Sequence, residues 1–197
     1  MYIESISYRL FVFIQTEETP NPETLKFMPG VTVMVSGTAT YISGDGCENS
    51  QLAKKLLDTD GIRGVFFSND FITLTKDADK SWELLKPAVL SIFLDHFTAG
   101  FPAVEGEGAS KTVEGHAEDH DSDPVVQQIK ELLETRVRPA VAQDGGDIIF
   151  HSIKDGVVYL EMHGACAGCP SSTATLKSGI ENMLRYYLPE VLEVRSI

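Results

Sequence analysis

An α+β fold, arranged as two small α/β domains joined by a flexible acidic linker, is what this sequence predicts. Three observations carry that prediction. Residues 11–98 mix short β-prone runs with apolar residues at helical spacing. Residues 124–197 do so again, in the order helix, strand, strand, helix, strand. Between them, residues 99–123 are rich in Gly, Glu, Asp and His and poor in large apolar residues after Val104. Such a segment buries too little surface to offset the entropy of ordering it, and its charges repel one another and keep it extended.

In the first domain, Phe11–Gln15 is a β-prone run broken by Thr19-Pro20-Asn21-Pro22, because proline has no N–H to give a ladder. Leu25–Phe27 and Val31–Val35 read as short strands. Ser50–Leu57 reads as a helix with Leu52, Leu56 and Leu57 on one face. Val65–Phe67 and Phe71–Thr75 flank Asn69-Asp70, a hairpin turn. Trp82, Leu85, Val89, Ile92 and Phe93 recur at helical spacing, so Ser81–Phe97 is an amphipathic helix capped near Ser81. Trp82 belongs to its core face rather than to a cofactor box.

In the second domain, Val125, Val126, Ile129, Leu132, Leu133 and Val137 make one helical stripe, which Pro139 is expected to stop. Asp144-Gly145-Gly146-Asp147 reads as a turn, its glycines supplying backbone freedom and its acids polar partners, rather than as a phosphate or metal loop. Ile148–Ile153 and Val157–Met162 are strands joined at Asp155-Gly156, a strong hairpin signal. Leu176, Ile180, Met183, Leu184 and Leu188 mark a second helix ended by Pro189, and Val191–Ile197 is a last strand. Two helices on one face of a three-stranded sheet bury both stripes.

The chain has 197 residues and a formal net charge of -13. That acidity repels phosphate backbones and argues against nucleic-acid partners. No apolar run reaches the roughly 18 residues that span a bilayer, so no membrane partner is expected. Met1–Gln15 has neither a basic start nor the Arg-rich character of an organelle-targeting peptide. Bacterial cytoplasm is the expected compartment, with mitochondrial matrix the alternative for a processed form.

There are three cysteines, Cys47, Cys166 and Cys169. An odd, sparse count argues against a secreted disulfide framework. Cys166 and Cys169 form a Cys-x-x-Cys pair in a tight loop between strand and helix, with Ala165, Ala167 and Gly168 around them. The positive end of the helix starting near Pro170 faces the loop, which is expected to favour thiolate, the metal-binding form. On spacing alone, cluster binding, zinc binding, thiol redox chemistry and inert thiols all stand. His163 extends the pair to His-x-x-Cys-x-x-Cys, three zinc ligands where zinc takes four or leaves one to water. A thioredoxin-like role lacks an evident βαβ unit before the pair. Iron–sulfur clusters normally take four cysteines, and one chain supplies two, so two chains about a two-fold axis would complete the set. Cys47 reads as an ordinary thiol.

A resemblance separates these alternatives. Asp144-Gly145-Gly146-Asp147, Gly164 to Ser172, Thr175-Leu176-Lys177 and Gly179-Ile180 resemble the C-terminal domain of the Nfu/NifU-like iron–sulfur scaffolds. Phe13 to Glu17, Thr19 to Pro22, Leu25-Lys26-Phe27 and Asp70 to Thr73 resemble the Nfu N-terminal domain. The resemblance implies a scaffold or carrier, not an enzyme, that binds a 4Fe–4S cluster (rather than 2Fe–2S) through Cys166 and Cys169. It also implies upstream cluster donors, apo iron–sulfur target proteins as recipients, and a cluster-bridged homodimer or higher oligomer. Met1–Leu10 lies outside the resemblance, and Cys47 belongs to none of its motifs.

Overall fold

A computed structural model describes residues 13–43, 46–106, 123–167 and 170–197. The start of the expected Phe11–Gln15 run, most of the expected linker, and Gly168 and Cys169 lie outside the described residues.

The first half forms a five-stranded, wholly antiparallel sheet in the order β1-β2-β5-β4-β3. Its strands are β1 (Gln15–Glu18), β2 (Thr24–Met28), β3 (Ala39–Ile42), β4 (Ile62–Phe67) and β5 (Ile72–Lys76). Helices α1 (Gln51–Leu57) and α2 (Trp82–Thr98) pack on one face. Each starts where the sequence offers a hydroxyl cap: Ser50 accepts from the amide of Ala53, and Ser81 from that of Glu83. Strand side chains alternate between faces. Leu25, Phe27, Val65, Phe67, Ile72 and Leu74 point to the helices and join Leu52, Leu56, Val89 and Phe93 in one buried cluster. Full burial of each such side chain contributes about 1.5–3 kcal/mol.

The expected Phe11–Gln15 run gives a strand only from Gln15, and that strand runs on to Glu18. Two further expectations fail in this half. Val31–Val35 is not a strand. The amides of Val33 and Met34 donate instead to the carbonyl of Asn69, at 2.7 and 3.3 Å, and the Asn69 side chain donates to Met34 O at 2.8 Å. Gly30 and Gly37, with φ of 72° and 68°, bend the chain on either side, so these backbone groups are satisfied by a turn rather than a ladder. The other failure concerns the linker's first residues. Ala103 and Val104 are buried in the first cluster, Ala103 O accepts from Ser50 Oγ at 2.6 Å, and Glu105 N donates to Asn49 O at 2.7 Å. Two apolar residues were enough to tie this stretch to the fold.

The second half begins with α3 (Pro124–Leu132), capped by Asp123, whose carboxylate accepts from the amide of Val125. The helix does not stop at Pro139. It widens into a π turn over Leu133–Val137 and continues as α4 (Arg138–Gln143). Proline lacks an N–H, and its ring collides with the carbonyl four residues back in a regular helix. The wider turn shifts the ladder so that Pro139 enters in the first turn of α4, where no N–H is missed. Strands β6 (Gly146–Lys154) and β7 (Val157–Gly164) form an antiparallel hairpin. Asp155 and Gly156, at φ 50° and 76°, make the tight turn that Asp-Gly predicted. Helix α5 (Pro170–Tyr187) leads to β8 (Glu193–Ser196), which pairs parallel to β7 and gives the order β6-β7-β8. Ile129, Leu133, Ile148, Leu160, Ile180 and Leu184 lie in a second, separate buried cluster. No helix among the described residues is long and apolar enough to cross a membrane.

Candidate metal centre

The cysteine loop is placed by the β6–β7 ladder. Its last pairs, Asp147 with His163 and Gly146 with Gly164, set the Asp144–Asp147 turn beside the loop that carries Cys166. The carbonyl of Gly145 then accepts from Ala165 N at 3.1 Å. Cys166 N donates to His163 O at 3.3 Å, and Ala167 N to Gly164 O at 3.1 Å. Thr173, in the first turn of α5, donates its hydroxyl to Cys166 O at 3.1 Å.

Two glycines are required by this approach. A Cβ on Gly146 would sit 2.4 Å from Cys166 Sγ and 2.9 Å from His163 O. A Cβ on Gly164, already at φ 60°, would fall 2.6 Å from Gly145 O. The sequence reading gave Gly146 a turn role; in the structure both glycines also make room for the thiol and its loop.

Cys166 is 4% exposed and packs in the second cluster. Burial pushes its thiol up to about 12, with Asp144 and Asp147 adding repulsion against the thiolate. This corrects the expectation that the helix N-terminus favours thiolate here. Helix α5 does start at Pro170, but at Cys166 burial comes first, with two nearby acids, and raises proton affinity. Cys169, the expected partner, lies outside the described residues.

Asp147 is no simple turn acid. It is 5% exposed and takes a two-pronged ion pair from Arg138, with Nε to Oδ1 and Nη2 to Oδ2 both at 2.8 Å. Those hydrogen bonds hold the guanidinium's pKa above its ordinary value despite burial. The pair staples α4 to the first turn of β6, next to the thiol. Sequence reading missed Arg138; its only signal was a cation six residues before the turn.

His163 does not converge on the thiol. Its Nδ1 lies 3.0 Å from Thr40 Oγ1, and its ring stacks on Phe66 with centroids 6.3 Å apart. Its Nε2 is 3.4 Å from Glu161 Oε1 but finds no hydrogen-bond partner among the described residues. Among those residues no three His, Cys, Asp or Glu side chains gather around a metal position. Cys47 packs against the first cluster, in the other half of the chain.

Residues 14–100 match the family described as "Scaffold protein Nfu/NifU N terminal", and residues 129–195 match the "NifU-like domain". The chain is 46% identical over 187 residues to the "NFU1 iron-sulfur cluster scaffold homolog, mitochondrial" of Drosophila persimilis, covering 94% of this chain and 65% of that protein. It is 45% identical over 193 residues to the protein of the same name from Drosophila sechellia, covering 98% of this chain and 67% of that one. A solved NifU-like protein from Saccharomyces cerevisiae is 24% identical, with a TM-score of 0.47 over 54% of this chain and 95% of that one. The chain thus spans about two thirds of the length of these curated relatives. The expectation of a bacterial cytoplasmic protein is overturned, because the relatives are named as mitochondrial. The makeup of the first fifteen residues carries no weight on this point in a chain that spans only part of its relatives.

Proposed function

The chain belongs to the Nfu family of iron–sulfur cluster scaffold proteins, and from that premise we propose that it carries a 4Fe–4S cluster between Cys166 and Cys169 of one copy and the same pair of a second. The observation that carries the reading is the position of Cys166. It is a buried thiol at the end of a two-stranded ladder, in a loop whose amides and carbonyls are held by the turn beside it and by α5. A loop so held keeps the Cys166 sulfur in a defined place. Two sulfurs per chain are half of the four that a cluster takes, and a two-fold axis supplies the rest.

The cluster is cargo. Each sulfur gives up its proton and offers its lone pair to iron when the cluster is taken up. Raised proton affinity at Cys166 helps the reverse step, because a thiol that prefers its proton lets iron go more readily. A carrier handing clusters from upstream donors to apo iron–sulfur proteins needs that balance, and it needs no catalytic group. Mitochondria are the compartment of this work, by likeness to the relatives. The two halves, about 11–98 and 124–197, act as separate domains, which the two separate buried clusters support.

Elemental analysis tests this. After anaerobic reconstitution with iron and sulfide, wild type and Cys47→Ser should hold both elements, while Cys166→Ser and Cys169→Ser should hold neither stably. Bound zinc without sulfide, or normal loading of Cys166→Ser, overturns the assignment.

A further inference from the structure

The first sheet has a second face, opposite its helices, and the cysteine loop sits on it. Thr73 Oγ1 donates to Gly145 O at 2.6 Å. Lys26 Nζ donates to Gln143 O at 3.2 Å, and Asn21 Nδ2 to Ala167 O at 3.2 Å. Phe66 stacks on His163, and its ring edge lies where a Gly164 side chain would be. Asn21, Lys26, Phe66 and Thr73 are all under 9% exposed as a result.

The composition of this face is unusual for a covered surface. A sheet face that is always buried reads as a continuous apolar run. This one reads Thr24, Lys26, Thr40, Thr73 and Thr75, with Met28, Ile42 and Phe66 its large apolar strand residues. Its polar groups are satisfied by the loop's carbonyls when the halves meet and by water when they part. Polar contacts of this kind are typical of interfaces that come and go.

We propose that this face is a docking surface for the chain's own cysteine loop, and that docking competes with a second copy for that loop. The inference rests on the shared-cluster reading above. A cluster held by two chains brings both loops together at Cys166. Of residues 163–167, which would meet the second chain, the Ala167 carbonyl is held here by Asn21 and the His163 ring by Thr40 and Phe66. The empty chain is therefore closed and the loaded chain open. By linkage, whatever weakens docking strengthens loading by the same factor.

The test uses the full chain with a fluorophore pair, attached by non-thiol chemistry at positions 84 and 186, where Leu84 and Tyr186 are 82% and 80% exposed. Energy transfer and iron uptake are followed anaerobically in wild type and Thr73→Arg, whose new side chain meets the Gly145 turn only in the closed form. Lys26→Glu, which sets a carboxylate against Gln143 O and beside Glu17, serves if the first variant does not fold. Empty wild type should give one energy-transfer population that shifts on loading. The empty variant should already show the shifted population and should take up iron with affinity raised by about tenfold, within the usual range of such couplings. Equal energy transfer and equal uptake in wild type and both variants overturn the competition and leave the cluster reading intact. A shift in the variants with no iron bound by any form leaves the docking surface standing and overturns the cluster reading, and with it the competition.

Discussion

Residues 13–106 and 123–197 each pair a sheet with helices, yet they use their surfaces differently. The first half departs less from regularity, with a register shift between Ile62 and Gly64 and a proline inside α2. Its sheet is all antiparallel, its core is aromatic (Phe27, Phe67 and Phe93), and its helices begin at serine caps. The second half collects exceptions: a π turn, a parallel edge, a buried ion pair and a buried thiol. Local irregularity tends to persist where surrounding structure overdetermines it, at functional sites above all. The contrast fits the proposed chemistry in the second half, with the first half as its platform.

The strongest way to break the contrast is to compare neighbours on β4 that face opposite sides. Phe67→Ala empties the first core and should cost about 3–5 kcal/mol, read from urea unfolding. Phe66→Ala removes the contact with His163 and Gly164 instead, and should cost less than half as much. An equal or larger cost at Phe66 would mean that the outer face is part of an indivisible core.

Next in size is the ion pair of the second half. Arg138→Ala leaves Asp147 unpaired at 5% exposure, and removing one partner of a buried pair costs about 3–5 kcal/mol. The Arg138 side chain is 34% exposed, so solvent screening lowers the expected loss to about 2–3 kcal/mol. Unfolding of the second half alone, with Trp82 fluorescence in the first half unchanged, would sharpen the division.

Gly146→Ala tests the thiol's seat. Overpacking there should cost about 1–3 kcal/mol in thermal or urea unfolding and should depress iron uptake, because the nearest neighbours include backbone that cannot rotate away. Unchanged uptake would show that the loop does not depend on the turn beside it.

The smallest expected effect is a pH slope in the first half. Burial lowers the pKa of His96, opposed by its hydrogen bond to Pro102 O. The unfolded chain therefore takes up a proton at a pH where the folded chain does not. That stability is complete above the ordinary histidine range and is lost as pH falls through it. Urea midpoints at pH 7.5 and 5.5 should differ less in His96→Gln than in wild type, once the shared background is subtracted.

The local layout was readable wherever one residue type has one job. Asp155-Gly156 announced a two-residue turn, Ser50 and Ser81 announced caps, and the leucine spacing of α5 announced its buried face. Val31–Val35 misled because β-branched residues also fill buried turns, where a carbonyl such as that of Asn69 satisfies them. Pro139 misled because a π turn, which sequence does not signal, moves proline to a tolerated position. At the proposed site, Cys166 was singled out by its spacing and resemblance. Arg138, Asn21, Lys26 and Thr73 were not, since each acts across a contact more than eight residues away in sequence. The raised pKa at Cys166 was hidden for the same reason: burial and the placement of Asp144 and Asp147 come from packing, which the Cys-x-x-Cys spacing does not encode.

Sedimentation under anaerobic conditions, before and after loading, tests the central claim most directly, with iron and sulfide measured on the same sample. The account predicts a monomer when empty and a species of at least twice that mass when loaded, carrying about four iron and four sulfide per pair of chains. A loaded protein that sediments as a strict monomer, with no small thiol completing the coordination, would contradict it.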